Sequence, residues 1–178
     1  MIPWEMKKPV VAAVHGHALG GGCELAMLCD LTVAAEDATF GEPEIRFSTA
    51  GPAMVMPAII GYKRARELLY LEDTIDAATA LAYGMVNKVY PKATFEADSL
   101  KYAKRLSLIS PEALYAAKHS INRGAEAGGF RTMLDVGLDV VAPLYTEKTA
   151  FGARFREIIK TEGVGAAVRW RRSQFEDK

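Results

Sequence analysis

Three consecutive glycines, Gly20-Gly21-Gly22, stand between two different kinds of apolar sequence, and nothing else in the chain constrains its fold as strongly. Before them lies Pro9 to Val14, PVVAAV, a short run rich in β-branched residues that stops at His15-Gly16 and reads as a buried strand. After them comes Cys23 to Leu28, CELAML, whose length and residue types begin a helix directly after the glycines. Asp30 to Ala35, DLTVAA, then reads as a second strand. Strand, glycine turn, helix and strand form a crossover unit, which calls for a largely parallel sheet with helices on its faces. The fold class is therefore α/β.

Further along, Glu36 to Gly51 reads as a loop, since it contains Gly41, Pro43 and Gly51 and holds no clean period. Arg64 to Leu71 and Asp76 to Ala82 are helical, with Gly84 as a terminating residue, and Met85 to Tyr90 is the last strand candidate. Four helical segments follow: Phe95–Leu106, Pro111–Arg123, Phe130–Leu144 and Thr149–Ile159. Ser110-Pro111 is a well-formed helix start, because the serine hydroxyl accepts from free amides and the proline sits where no amide bond is lost. The expected organisation is an α/β part over 1–92 followed by an all-helical part over 93–178.

Composition removes several alternatives. With 178 residues, 50% of them hydrophobic and 25% charged, the chain buries a sizeable core without staples. A formal net charge of zero lacks the cationic excess of a nucleic-acid binder, so no nucleic-acid partner is expected. No stretch of 18 apolar residues exists, so no membrane association is expected either. Cys23 and Cys29, six positions apart and read here as one helix, are separated by roughly 9 Å along its axis, too far for a disulfide. Reduced thiols point to the cytoplasm. His15, His17 and the two cysteines match no standard zinc spacing, so no metal is expected.

The glycine turn is suited to chemistry as well as to folding. Three residues without side chains leave backbone amides uncovered at the positive end of a helix, an arrangement that holds an anionic oxygen. No Gly-Lys-Ser/Thr follows, which excludes a phosphate loop. Glu24 instead lies in the first helical turn, where an acid either complements the helix dipole or takes part in proton transfer. Glu44, in the Gly-Glu-Pro-Glu loop after the second strand, can be returned by parallel topology to the same end of the sheet. Amide donors beside two carboxylates make an arrangement that stabilises an oxyanion and moves protons.

The segment HGHALGGGCELAMLCD followed by FGEPEI resembles the enoyl-CoA hydratase/isomerase family, the crotonases. ALAYGMVNKV, SPEALYAAKHSIN and the stretch from Glu162-Gly163 through Ala166 to Arg171 and Phe175 resemble later segments of the same family, in the same order. The resemblance implies a crotonase-like spiral of ββα turns, present here in part, followed by a C-terminal helical region that covers the active site and supports oligomerisation as a trimer or hexamer. It implies an acyl-CoA thioester as partner, with coenzyme A entering as part of the substrate and no separate cofactor. Gly21 matches the glycine whose amide holds the thioester oxygen, while Glu24 and Glu44 match the two catalytic acids of hydratases. Ala18, Leu19, Gly20 and Gly51 match substrate-binding positions.

The implied reaction is reversible addition of water to a 2-enoyl-CoA, with the enolate stabilised in an oxyanion hole. The alternatives are an enoyl-CoA isomerase or another crotonase-type acyl-CoA reaction, and a truncated, non-catalytic subunit competent only for assembly. The second of these arises because family members extend upstream of the segment matching Lys8-Pro9, where the other oxyanion amide lies. The chain is accordingly expected to be the C-terminal portion of a crotonase, with the strand Pro9–Val14 left at an open edge. Arg169, Arg171 and Arg172 are expected to form a solvated face rather than a phosphate site.

Overall fold

In a computed structural model, the structure describes residues 1–47, 55–71, 74–146 and 149–176. The crossover unit is present: β1 (Val11–Val14) and β3 (Leu31–Ala35) pair in parallel, Val11 opposite Leu31 and Val14 opposite Ala34. Between them lies helix α2 (Gly21–Leu28). Strand β6 (Lys88–Tyr90) pairs in parallel with the other side of β3 and completes a three-stranded sheet in the order β1-β3-β6. Among the described residues β1 is thus an edge strand, as expected.

The pleat of β3 divides the apolar interior. Ala34 joins the main core with Met27, Phe40 and Leu68, whereas Val33 and Ala35 point to the opposite face and pack with Phe95. Phe95 begins helix α6 (Phe95–Lys104), which covers that second face together with Tyr102.

Two expectations are corrected here. His17–Leu19 forms a strand, β2, and the segment expected to be an irregular loop contains β4 (Thr39–Gly41) and a 3-10 turn over Pro43–Phe47. These strands, with β5 (Ile75–Asp76), make a second sheet in the order β2-β4-β5. Each is only two or three residues long, too short to show a period in sequence. Cys29 is also not in the helix of Cys23; it is the extended residue that ends α2. Both cysteines are free thiols.

The remaining helices start and stop on local chemistry. After α3 (Met56–Ile60) and α4 (Tyr62–Leu71), Asp76 caps α5 (Ala77–Tyr83) by accepting from the Thr79 amide, and Gly84 ends it in the left-handed region at φ 83°. Ser110 caps α7 (Pro111–Ala127), accepting from the Ala113 amide. Helix α7 runs four residues past the expected end at Arg123, because Gly124 continues it and the chain turns only at Gly128-Gly129. Helices α8 (Phe130–Val141), α9 (Ala150–Glu162) and α10 (Val164–Glu176) follow. No helix among the described residues is long and apolar enough to cross a membrane.

The short first helix, α1 (Ile2–Glu5), is fastened to the helical part. The Trp4 ring stacks on Phe130 at 4.4 Å, and Asn122 Nδ2 donates to the Trp4 carbonyl at 2.8 Å. Beneath it, the buried Lys118 Nζ donates to the Pro3 carbonyl at 2.6 Å, the Lys8 carbonyl at 3.2 Å and Asp30 Oδ2 at 2.8 Å. Lys118 is buried while Asp30 is partly open to solvent, so losing the ammonium leaves mainly two carbonyls without their donor. Lys118→Met is therefore expected to lower unfolding free energy by about 1–3 kcal/mol, read from the denaturant midpoint. Adding Asp30→Asn should cost less than the sum of the two single changes, and strict additivity would contradict the pairing.

Candidate active site

The three acids that gather at one end of the second sheet arrive there through a single backbone pairing. Strands β2 and β4 run parallel with Leu19 opposite Gly41, and the Gly20 amide donates to the Gly41 carbonyl at 2.8 Å. Both strands consequently leave the sheet at the same end, the carboxyl end of a parallel pair. Strand β2 passes through Gly20 into α2, which carries Glu24 in its first turn. Strand β4 passes into Glu42 and then into the 3-10 turn that carries Glu44.

Gly20 adopts φ 56° and ψ −127°, a backbone shape that side chains oppose. A Cβ built there would lie 1.5 Å from Glu44 Oε1, so the Glu44 carboxyl occupies the space that a side chain would fill. In front of Gly21 and Gly22, by contrast, a Cβ would meet nothing within 4 Å among the described residues. The first amides of α2 have no carbonyl one turn earlier, and Gly20 caps the helix without a side-chain bond. The space beside the Gly21 and Gly22 Cα atoms is therefore open among the described residues, at the positive end of a helix and one residue from the Glu44 carboxyl's contact with Gly20.

Glu24 is 4% exposed and Glu44 is half-buried, with Glu44 Oε2 buried and without a hydrogen-bond partner among the described residues. A third acid, Glu42, is missing from the sequence reading. It is 2% exposed, and among the described residues neither of its carboxyl oxygens has a hydrogen-bond partner. Burial, followed by the charges of Glu24 and Glu44, pushes its pKa up to about 8. The available signal was an acid immediately after a short apolar strand, and that strand, β4, is the element the sequence pattern does not reveal. Cys23 belongs to the same electrostatic cluster: burial, then the charge of Glu42, pushes its thiol up to about 12.

The other expected site residues fall in different places. Ala18 is buried with its side chain in the main core, and Leu19 is 37% exposed. Gly51 lies outside the described residues. His17 Nδ1 shares a hydrogen bond with Thr39 Oγ1 at 2.7 Å, whereas His15 packs edge-on to Phe95, so the two histidines have separate surroundings. Arg169 and Arg172 are exposed as expected, but Arg171 departs from the solvated face. Its Nε donates to the Arg46 carbonyl at 2.5 Å, and its guanidinium lies 4.3 Å from the Phe175 ring centre, which joins α10 to the turn carrying Glu44. A cavity of about 840 Å³, lined by Val11, Ala13, His15, Ala35, Phe95 and Ser99 among others, lies between β1 and α6 and touches none of the three acids.

Residues 4–161 match the family model described as enoyl-CoA hydratase/isomerase, and the chain belongs to that family. It is 35% identical over 176 residues to a crotonyl-CoA hydratase of Syntrophomonas wolfei, covering 97% of this chain and 64% of the relative. It is 34% identical over 177 residues to a mitochondrial enoyl-CoA hydratase of Pongo abelii, covering 98% of this chain and 57% of the relative. Among solved structures, an enoyl-CoA hydratase/isomerase from Xanthobacter autotrophicus Py2 superposes with a TM-score of 0.93 at 36% identity, over 97% of this chain and 65% of that one. The fold is thus the α/β crotonase fold with C-terminal helices, and the chain spans about three-fifths of the length of these relatives.

Two outcomes test the local geometry. Gly20→Ala is expected to lose about 1–3 kcal/mol of stability from its backbone alone and more from the collision with Glu44. The double change Gly20→Ala/Glu44→Gly should recover the collision part only; identical unfolding midpoints for the single and double variants would contradict the contact. Cys23, held as a thiol, is expected to resist an aromatic disulfide reagent at mildly alkaline pH until denaturant is added, while Cys29, also pushed up by burial but half-exposed, reacts faster than Cys23 in the native chain.

Proposed function

We propose that this chain carries enoyl-CoA hydratase chemistry, the reversible addition of water across the double bond of a 2-enoyl-CoA thioester. The observation that supports this most directly is the Glu44 carboxyl lying against Gly20, at the helix end whose first turn holds Glu24. Hydration needs a donor for the negative charge that builds on the thioester oxygen when water attacks C3, and it needs groups that take a proton from water and return one to the α-carbon. The Gly21 amide fills the first requirement as one donor of the oxyanion hole. Glu24 and Glu44 fill the second, one activating water and the other handling the α-carbon proton.

Hydratase names among relatives at about 35% identity agree with this reading, and so does the presence of two acids beside the amides. Ala18, Leu19 and Gly20 contribute to the substrate site through their backbone, and Gly51 belongs to the same site. Helix α10 acts as a cover, since its Arg171 bonds to the turn that carries Glu44. The helical region also serves assembly into a trimer or hexamer, which sedimentation measures. The free thiols suit a reducing compartment such as the cytoplasm. A second reading, a non-catalytic subunit that assembles with other chains, is favoured by the open outer edge of β1 among the described residues.

The deciding experiment is loss of the conjugated enoyl-thioester absorbance when the purified chain meets crotonyl-CoA, with chromatographic identification of the product. A 3-hydroxyacyl thioester is expected; a shifted double bond would reassign the chain as an isomerase. Glu24→Gln and Glu44→Gln, each still folded, are expected to lose at least about 100-fold in rate. Full activity in either variant would overturn the assigned roles. A folded wild-type chain that leaves crotonyl-CoA unchanged would support the assembly reading instead.

A further inference from the structure

Glu42 has no evident reason to be an acid if it serves packing alone. Among the described residues its side chain ranks in size with the fully buried Phe40, Met56 and Val33, and neither of its carboxyl oxygens is hydrogen-bonded there. A buried ionised carboxylate without partners is strongly disfavoured, and such a group takes up a proton instead. Among the described residues, the titratable groups that act on it, or that it acts on, are Cys23 and Glu24 from α2 and Glu44 from the 3-10 turn. The cation in its own turn, Arg46, is directed to α10, with its guanidinium 4.8 Å from the Phe175 ring centre.

We infer that Glu42 is a positioning residue of this site, a neutral acid that fills the space beside Glu24 and Glu44 without adding a third negative charge, and whose ionisation closes the site to its anionic intermediate. This inference rests on the hydratase reading for its link to turnover, but not for the charge state of Glu42. The reasoning is electrostatic. An enolate formed at the Gly21 amide must coexist with whatever charge the nearby acids carry, and in a water-poor site each added carboxylate opposes it strongly. Glutamine would give the same shape with no proton to lose, so a glutamic acid makes the site responsive to alkalinity.

The sign of the linked effect on stability follows from the raised pKa. Between the ordinary value of 4.5 and about 8, the folded chain retains a proton that the unfolded chain has released. Stability contributed by this group is therefore present at low pH and is lost as pH rises through that window.

The test compares the whole wild-type chain with Glu42→Gln by infrared spectroscopy, by denaturant unfolding across pH, and by hydration of crotonyl-CoA. The wild type is expected to show the carbonyl stretch of a protonated carboxyl at neutral pH, lost near pH 8 and absent from Glu42→Gln. The stability advantage of Glu42→Gln should widen as pH rises from about 4.5 to about 8. The wild-type hydration rate should fall on the alkaline side with the same midpoint, and Glu42→Gln, measured against its own maximum, should lose that fall. A missing band, a band that persists in Glu42→Gln, or an alkaline fall that the variant retains would overturn the inference. If the wild type leaves crotonyl-CoA unchanged at every pH, the hydratase reading fails, while the infrared and unfolding results still decide the state of Glu42.

Discussion

Everything at the candidate site depends on β2 and β4 lying side by side in parallel register. With Leu19 opposite Gly41 and Gly20 bonded to the Gly41 carbonyl, two chain segments about twenty residues apart leave the sheet together. One continues into α2 and the other into the 3-10 turn, so the backbone pairing alone brings the segments of Glu24, Glu42 and Glu44 to one end of the sheet. An antiparallel pairing of the same strands would send the two exits to opposite ends. The absence of a side chain at Gly20 then sets how close Glu44 comes to the helix start.

This arrangement concentrates acid where most proteins avoid it. Glu24 and Glu42 are both almost fully buried, and the positive end of α2 is the local feature that favours negative charge there. A helix of eight residues supplies only partial charge at its end, so it suits one or two carboxylates better than three. Protonation of Glu42 brings the acid content of the site into line with what the backbone can balance.

The sequence was legible where a pattern was long or its chemistry specific. The strands Val11–Val14 and Leu31–Ala35 announced themselves by apolar, β-branched runs, and the helix between them by the glycines before it. The caps at Ser110 and Gly84 follow from residue types whose side chain, or lack of one, acts on the adjacent backbone, whereas Asp76, read as the first helical residue, is itself a cap. The second sheet was illegible for the opposite reason: its strands have three, three and two residues, and His17–Leu19 and Thr39–Gly41 owe their conformation to pairing rather than to propensity. Missing β4 meant missing Glu42, because only its position at the end of a buried strand distinguishes it from a solvated loop acid. Glu24 and Glu44 were singled out because a helix-start glutamate and a Gly-Glu-Pro-Glu loop stand out against their neighbours. Arg171 was misjudged because its partner is a backbone carbonyl 125 residues away.

The contacts of Lys118 also bear on the order in which the molecule assembles. Its ammonium joins Pro3, Lys8 and Asp30 across sequence separations of 115, 110 and 88 residues, so that no local segment can satisfy it. Closing loops of that length costs chain entropy before any contact repays it, which makes such contacts slow to form. During synthesis the first helix has to wait, unlatched, until α7 has emerged. Pro3 and Lys8 are thus fixed by a side chain made more than a hundred positions after them.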